Sequence, residues 1–375
     1  MFLWLSACLA LQVQPVDISD ALKVLREKHD LPGLVALAVQ GDRVVAQGAA
    51  GVRKRGADAA ITLEDRVHLG SCTKSMTATL VALLVAEKRL AWTTTVGEAF
   101  PRLKETMHEE WRGVTVEQLL THRGGAPANL DADDLWSRLW NHKGTPTEQR
   151  LALVEGVVRR KPETKPGGKF IYSNAGFAIA GAMAEAATGD PWEDLMRRRM
   201  FGPLGMASAG FGAPGSKEVL DQPRGHSEGG RPVEPGPGSD NPAAIGPAGT
   251  VHCSLGDWAK YAFVHVRMDS NGSGKSPRSA EIFLKALKPA AFEKLHAPAP
   301  AGDPRYAMGW GVAERPWADG PVLTHSGSNT MWFAVAWLAP KKDLLLLAAT
   351  NQGGQKAAEA CDLAVVELLK AAQKK

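Results

Sequence analysis

The hydrophobic positions along the chain switch between helical and strand-like spacing, and that pattern predicts the order of elements. Val16 to His29 carries apolar residues at helical spacing and predicts an amphipathic helix. Leu34 to Gln40 and Arg43 to Gly48, divided by Gly41-Asp42, predict a β-hairpin. A long apolar helix is expected from Thr73 to Arg89. From Val96 to Gly249 short helical runs, Thr147 to Lys161 and Phe177 to Thr188 among them, alternate with Gly/Pro loops. Asp257 to Arg267 resumes as a helix. Val322 to Ser326, Met331 to Leu338 and Leu344 to Thr350 predict three strands, with Pro340-Lys341-Lys342-Asp343 as a turn, and Gln355 to Ala372 predicts a closing helix with one apolar face. Strands at both ends with helices between predict an α+β fold: one antiparallel sheet built from both chain ends, flanked by helices, with a mainly helical insertion. The matching division is residues 16–95 with 250–375 for the sheet part and 96–249 for the insertion. No internal repeat is evident.

Composition narrows the class. A chain of 375 residues, 44% of them hydrophobic, can bury a large core in one large domain or two. The net charge is +4 and charged residues make up 22%, with both signs interspersed, so no basic block offers itself to nucleic acid. Four cysteines, Cys8, Cys72, Cys253 and Cys361, form no CxxC pair and suggest neither a zinc site nor a disulfide framework. His108-Glu109-Glu110-Trp111 lacks the second histidine of a zinc-protease helix, so neither metal nor cofactor is expected. Phe2 to Val13 is apolar but too short to span a bilayer. Met1 to Pro15 reads as a secretory signal, and the expected location is periplasmic or secreted. Leu5-Ser6-Ala7-Cys8 has the residues of a lipoprotein cleavage box, but too few residues precede Cys8, so a lipid anchor there is not the favoured reading.

The candidate chemistry starts at Gly70-Ser71-Cys72-Thr73-Lys74. Residues three apart share a helix face, so the Lys74 amine can reach the Ser71 hydroxyl at the start of the predicted helix. An alcohol becomes a useful nucleophile beside a base, and a lysine desolvated among apolar neighbours loses proton affinity. Alone, such a pair is more often an N-cap serine with a solvated lysine. Cys72 beside it reads as a small apolar filler. Two further motifs follow in order: Tyr172-Ser173-Asn174 after the turn Lys165-Pro166-Gly167-Gly168-Lys169, and His325-Ser326-Gly327 opening the last strand-rich segment.

This order of Ser-x-x-Lys, Tyr-x-Asn and a [Lys/His]-[Ser/Thr]-Gly element resembles the serine β-lactamase and penicillin-binding-protein superfamily. Within it the chain looks most like the class C branch, which also holds D-alanyl carboxypeptidases, D-amino-acid peptidases and esterases. Val114 to Gly125, Phe201-Gly202-Pro203-Leu204-Gly205-Met206, Pro247-Ala248-Gly249-Thr250 and Met308-Gly309-Trp310-Gly311 extend the resemblance over most of the chain. It implies the family's sheet with an inserted helical domain. It also implies a serine hydrolase that works through an acyl-enzyme on a small-molecule or short-peptide substrate. Ser71 would be the nucleophile, Lys74 or Tyr172 the base, and Asn174 a substrate-binding amide that also holds Lys74. His325 and Ser326 would border the substrate. Gly327 would let the edge strand approach it, and the backbone N–H groups of Ser71 and Ser328 would form the oxyanion hole. The departure is His325, where class C β-lactamases usually carry lysine. Histidine offers a substrate carboxylate positive charge only near or below its reference pKa of about 6.5. Esters or small amides are therefore expected ahead of β-lactams. The alternatives are a true class C β-lactamase and a non-catalytic relative that binds cell-wall peptides or serves as a scaffold.

Two other motifs do not fit their usual settings. Gly225-His226-Ser227-Glu228-Gly229 matches a nucleophile elbow, but the prolines and glycines from Gln222 to Asp240 leave no place for the helix it requires. Gly274-Lys275-Ser276 has the end of a phosphate-binding loop, yet Asp269 stands where its first glycine belongs.

Overall fold

The computed structural model describes residues 14–236, 238–268, 283, 286–300, 303 and 305–374. The signal segment up to Val13, with Cys8, and the Gly274-Lys275-Ser276 stretch lie outside the described residues.

The fold is α+β around a seven-stranded sheet. Its strands are β1 (Val16–Asp17), β2 (Gly33–Gln40), β3 (Arg43–Gly51), β4 (Gly311–Arg315), β5 (Gly320–Ser328), β6 (Phe333–Ala339) and β7 (Leu344–Thr350), in the spatial order β1-β3-β2-β7-β6-β5-β4. N-terminal strands thus pair with C-terminal ones, β7 lying antiparallel on β2 from Leu344↔Gln40 to Thr350↔Leu34. The continuous apolar run of β7 follows from its place: all seven residues are buried because both faces of the sheet are covered. Alternate residues serve the two sides. Leu344, Leu346 and Ala348 pack with Leu22, Cys361, Ala364 and Leu368 of helices α1 (Ser19–Lys28) and α6 (Gln355–Gln373). Leu345, Leu347 and Ala349 face a larger core holding Leu80 and Leu84 of α2 (Thr73–Ala86) and Trp258 and Ala262 of α5 (Leu255–Met268). Every residue of α2 from Thr73 to Leu84 is buried, as befits a helix apolar on all sides.

Between the two sheet-forming ends lie α2, α3 (Pro146–Val158), α4 (Asn174–Thr188) and several short helical turns, with α4 packed on both α2 and α3. A three-stranded ladder joins Val67–His68 and Gly210–Phe211 to the two sides of Val251–Cys253.

Three expectations need correcting. The first helix begins at Ser19, because Val16–Asp17 pair parallel with Ala46 and Gln47 at the sheet edge. That pair makes this edge the one parallel junction of an otherwise antiparallel sheet. Gly311–Arg315 adds the opposite edge strand, which its five residues were too few to announce by alternation. The helix predicted from Phe177 starts at Asn174, with the Ser173 hydroxyl accepting the Gly176 N–H as N-cap. Elsewhere the differences are a few residues at element ends: α2 stops at Ala86 and α3 at Val158, β3 runs on to Gly51, and β5 and β6 span Gly320–Ser328 and Phe333–Ala339.

Candidate active site

Ser71 sits in the 3₁₀ turn Gly70–Cys72 that leads into α2, which begins at Thr73 as expected. Strand β5 crosses this turn backbone to backbone. A methyl added at Gly327 would lie 2.0 Å from the Leu69 carbonyl and 2.6 Å from the Ser71 nitrogen, and one at Gly70 would lie 2.3 Å from the Ser328 nitrogen. Gly70 also has a φ of +49°, so both positions demand glycine. The crossing brings the backbone of Ser71 beside that of Ser328. The Cys72 thiol, on the buried side, reaches the His325 carbonyl at 3.4 Å, and burial raises its pKa, so it stays a thiol.

Lys74 is the centre of the constellation. Its Nζ lies 2.9 Å from Ser71 Oγ, 2.7 Å from Asn174 Oδ1 and 2.8 Å from the Ala248 carbonyl. The side chain is fully buried, and that desolvation brings its pKa from 10.5 down to about 7. A neutral amine keeps all three contacts: two N–H bonds serve Asn174 and Ala248, and its lone pair can accept the Ser71 proton. The ammonium donates to all three instead, so only the polarity of the Ser71 contact changes.

Tyr172 lies over Lys74, whose Nζ is 4.8 Å from its ring centre. Burial pushes the phenol up to about 12, against the opposing hydrogen bond with Ser71, so it holds its proton although the residue as a whole is 38% exposed. Along β5 the side chains alternate: His325 and Gly327 are buried, Ser326 and Ser328 exposed. His325 Nδ1 donates to the Ser326 carbonyl at 2.6 Å. Burial, helped by the Lys74 charge, lowers His325 to about 4. The expected gain of charge near 6.5 therefore does not hold; the imidazole is neutral throughout the physiological range.

The fold thus brings Ser71, Lys74, Tyr172, Asn174 and the His325–Ser328 strand end to one place. Two further residues join them. His122, in a left-handed conformation (φ 56°), accepts the Ser173 N–H on Nδ1 at 3.1 Å and meets the Tyr306 hydroxyl through Nε2 at 3.2 Å. Its ring centre lies 4.4 Å from that of Tyr172 and 4.9 Å from that of Tyr306, which in turn packs edge-on against His325. His122 was in the quoted segment Val114 to Gly125 without a role. Composition held a hint for Tyr306: the chain has three tyrosines, and two stand here. The serine of the rejected elbow, Ser227, lies in a tight hairpin between Gly225–His226 and Pro232–Val233, with no helix after it. Among the described residues no group of three His, Cys, Asp or Glu side chains could hold a metal ion. No described helix is long and apolar enough to cross a membrane.

The family model for β-lactamase matches residues 18–370. The chain belongs to the β-lactamase family. Within this family of serine hydrolases it is 28% identical over 338 residues to penicillin-binding protein 4 of Amycolatopsis lactamdurans, covering 89% of this chain and 84% of that one. It is 25% identical to the unguisins hydrolase ungD' of Aspergillus campestris, covering 82% of this chain but 57% of that longer one. A β-lactamase of Pseudomonas fluorescens is 22% identical over 66% of this chain and 64% of its own. In fold, the chain matches the crystal structure of SurE with a TM-score of 0.72 at 21% identity, over 94% of this chain and 74% of that one. The octameric penicillin-binding protein homologue from Pyrococcus abyssi matches with a TM-score of 0.73 at 22% identity, over 94% and 76%.

Proposed function

We propose that this protein hydrolyses esters or small amides through an acyl-enzyme on Ser71, as an esterase or D-alanyl-peptidase-type member of its family. The observation that carries the reading is the buried Lys74 amine, with a pKa of about 7, in hydrogen-bond contact with Ser71 Oγ. Lys74 is the general base of acylation: a substantial part of it is unprotonated at neutral pH. Tyr172, holding its phenol proton, is the donor to the leaving group. The Ser71 and Ser328 backbone N–H groups receive the charge that develops on the attacked carbonyl oxygen.

Charge at the site favours neutral acyl donors. Lys74 spends its contacts on Ser71, Asn174 and Ala248, and His325 is neutral, so these groups present no free cation to a substrate carboxylate. The surrounding rings of Tyr172, Tyr306 and His122 suit an apolar acyl or alcohol group. The names of the relatives, a penicillin-binding protein, an unguisins hydrolase and a β-lactamase, fit acyl transfer but differ in substrate.

Intact-protein mass spectrometry after incubation with a p-nitrophenyl ester, a D-alanyl peptide and a penicillin tests the reading. Adducts from the ester or the peptide, mapped to Ser71, are the expected result. An adduct on another residue would overturn it, and rapid turnover of the penicillin alone would make the protein a β-lactamase proper.

A further inference from the structure

We infer that His68, Asp240 and Asn329 are positioning residues for the oxyanion hole, a buried polar strap holding the Ser71 turn and the Ser328 strand end in register. The inference rests on the proposed acyl-transfer reading. The Gly70 N–H donates to His68 Nδ1 at 3.1 Å, which places the ring proton on Nε2. That nitrogen donates to Asp240 Oδ2 at 2.8 Å. On the other side, Asn329 Nδ2 donates to Asp240 Oδ1 at 3.0 Å, an oxygen that also accepts the Asn241 N–H at 2.7 Å. All three side chains are buried. The chain of contacts therefore runs from the residue before Ser71 to the residue after Ser328.

Both ends of the strap shape backbone. His68 takes a donor of the 3₁₀ turn that carries Ser71. Asn329 Oδ1 accepts the Met331 N–H at 3.2 Å, and Ser328 Oγ accepts the Thr330 N–H at 2.9 Å. Thr330 itself has a φ of +73°, strained for a β-branched residue at a cost of about 1–3 kcal/mol and held only because its surroundings impose it. Two N–H donors on separate segments stabilise an oxyanion only if their spacing is fixed, since small misplacements cost heavily in rate. The glycine contacts at Gly70 and Gly327 press the segments together but set no polar register between them. The strap sets one. Only a carboxylate serves at 240, because it accepts from three donors at once, whereas an asparagine there has a single acceptor oxygen.

The test uses Asp240→Asn and Asn329→Ala in the full chain. Turnover of p-nitrophenyl acetate is measured per active serine, titrated with a fluorophosphonate, alongside inhibition by phenylboronic acid, whose tetrahedral serine adduct needs the oxyanion hole. Each variant should lose ~10-fold or more in kcat/KM and a similar factor in boronate affinity, short of the ~10²–10³ expected for deleting a donor outright. The double variant should lose no more than the worse single one, since both cut one bridge. Wild-type values per titrated serine in both variants, or multiplicative losses in the double, would sink the strap. Misfolded protein does not count in rates per titrated site, and if Asp240→Asn yields no active protein, Asn329→Ala decides alone. Failure of the underlying reading looks different: Ser71→Ala would then retain esterase activity.

Discussion

His122 Nδ1 accepts the Ser173 backbone N–H at 3.1 Å, so the single proton of the neutral ring sits on Nε2 and points to the Tyr306 hydroxyl 3.2 Å away. Burial, helped by the nearby Lys74 charge, drives the His122 pKa well below 6.5, which keeps it in that state. The ring thereby fixes the backbone next to Tyr172 and one face of the Tyr172 phenol.

His122→Phe keeps the volume but leaves the buried Ser173 N–H without an acceptor, a loss of about 1–3 kcal/mol in stability by urea unfolding. Turnover should fall by ~10-fold through the displaced phenol, with KM little changed, since proton transfer depends on placement. Unchanged turnover in a folded variant would show that the ring is only a filler.

Ser71→Ala should abolish ester hydrolysis while far-UV circular dichroism stays as in the parent, and Ser227→Ala should leave the rate intact. Lys74→Ala and Tyr172→Phe should each lower turnover by at least ~10²-fold. Because Lys74 and Tyr172 meet at the same serine oxygen, their combined loss should fall far short of the product of the single losses. Steady-state kinetics of the two single and the double variants checks this; independent, multiplicative losses would mean two separate proton paths.

Much of this was legible in the sequence because it is local. β7 declares itself as an unbroken apolar run since both its faces are covered, and Ser71 and Lys74 declare themselves because three residues of helix bring them together. Asn174 and His325 came from motif order. The roles of His122, Tyr306, His68, Asp240 and Asn329 were not legible. Each works through a partner that only tertiary folding supplies, such as His68 to Asp240 across 172 positions. The edge strand Val16–Asp17 escaped for another reason: two residues carry no periodicity, and the parallel pairing with Ala46 and Gln47 is decided by the sheet.

The acidity of Lys74 makes a pH profile diagnostic. Its base form exists above about pH 7, so kcat/KM should climb roughly tenfold per unit below that value and level off above it. The same shift acts on stability with a definite sign. Between about 7 and 10.5 the unfolded chain holds a proton on this lysine that the folded one has lost, so stability should rise with pH across that window. His325, lowered to about 4, should add no second ionisation near 6.5. Stopped-flow rates with a neutral ester from pH 5 to 9 read this directly. A flat profile, or a second inflection removed by His325→Gln, would show the two pKa values to be wrongly placed.

His325→Lys should redirect the substrate preference. The wild-type imidazole gives its proton to the Ser326 carbonyl and carries no charge at neutral pH, so a substrate carboxylate gains nothing from it. A lysine at this strand position adds a cation next to Tyr306 and close to Lys74. A charge-assisted hydrogen bond to a carboxylate stabilises by about 1.5–3 kcal/mol, which corresponds to at least ~10-fold in relative kcat/KM for an anionic over a neutral ester of the same acyl group. The new charge also disfavours the Lys74 ammonium, so the pH inflection should move below 7. Matched esters, one ending in a carboxylate and one in its methyl ester, measured against both proteins, separate the two effects. An unchanged ratio with a shifted inflection would place residue 325 near the base but out of reach of the substrate.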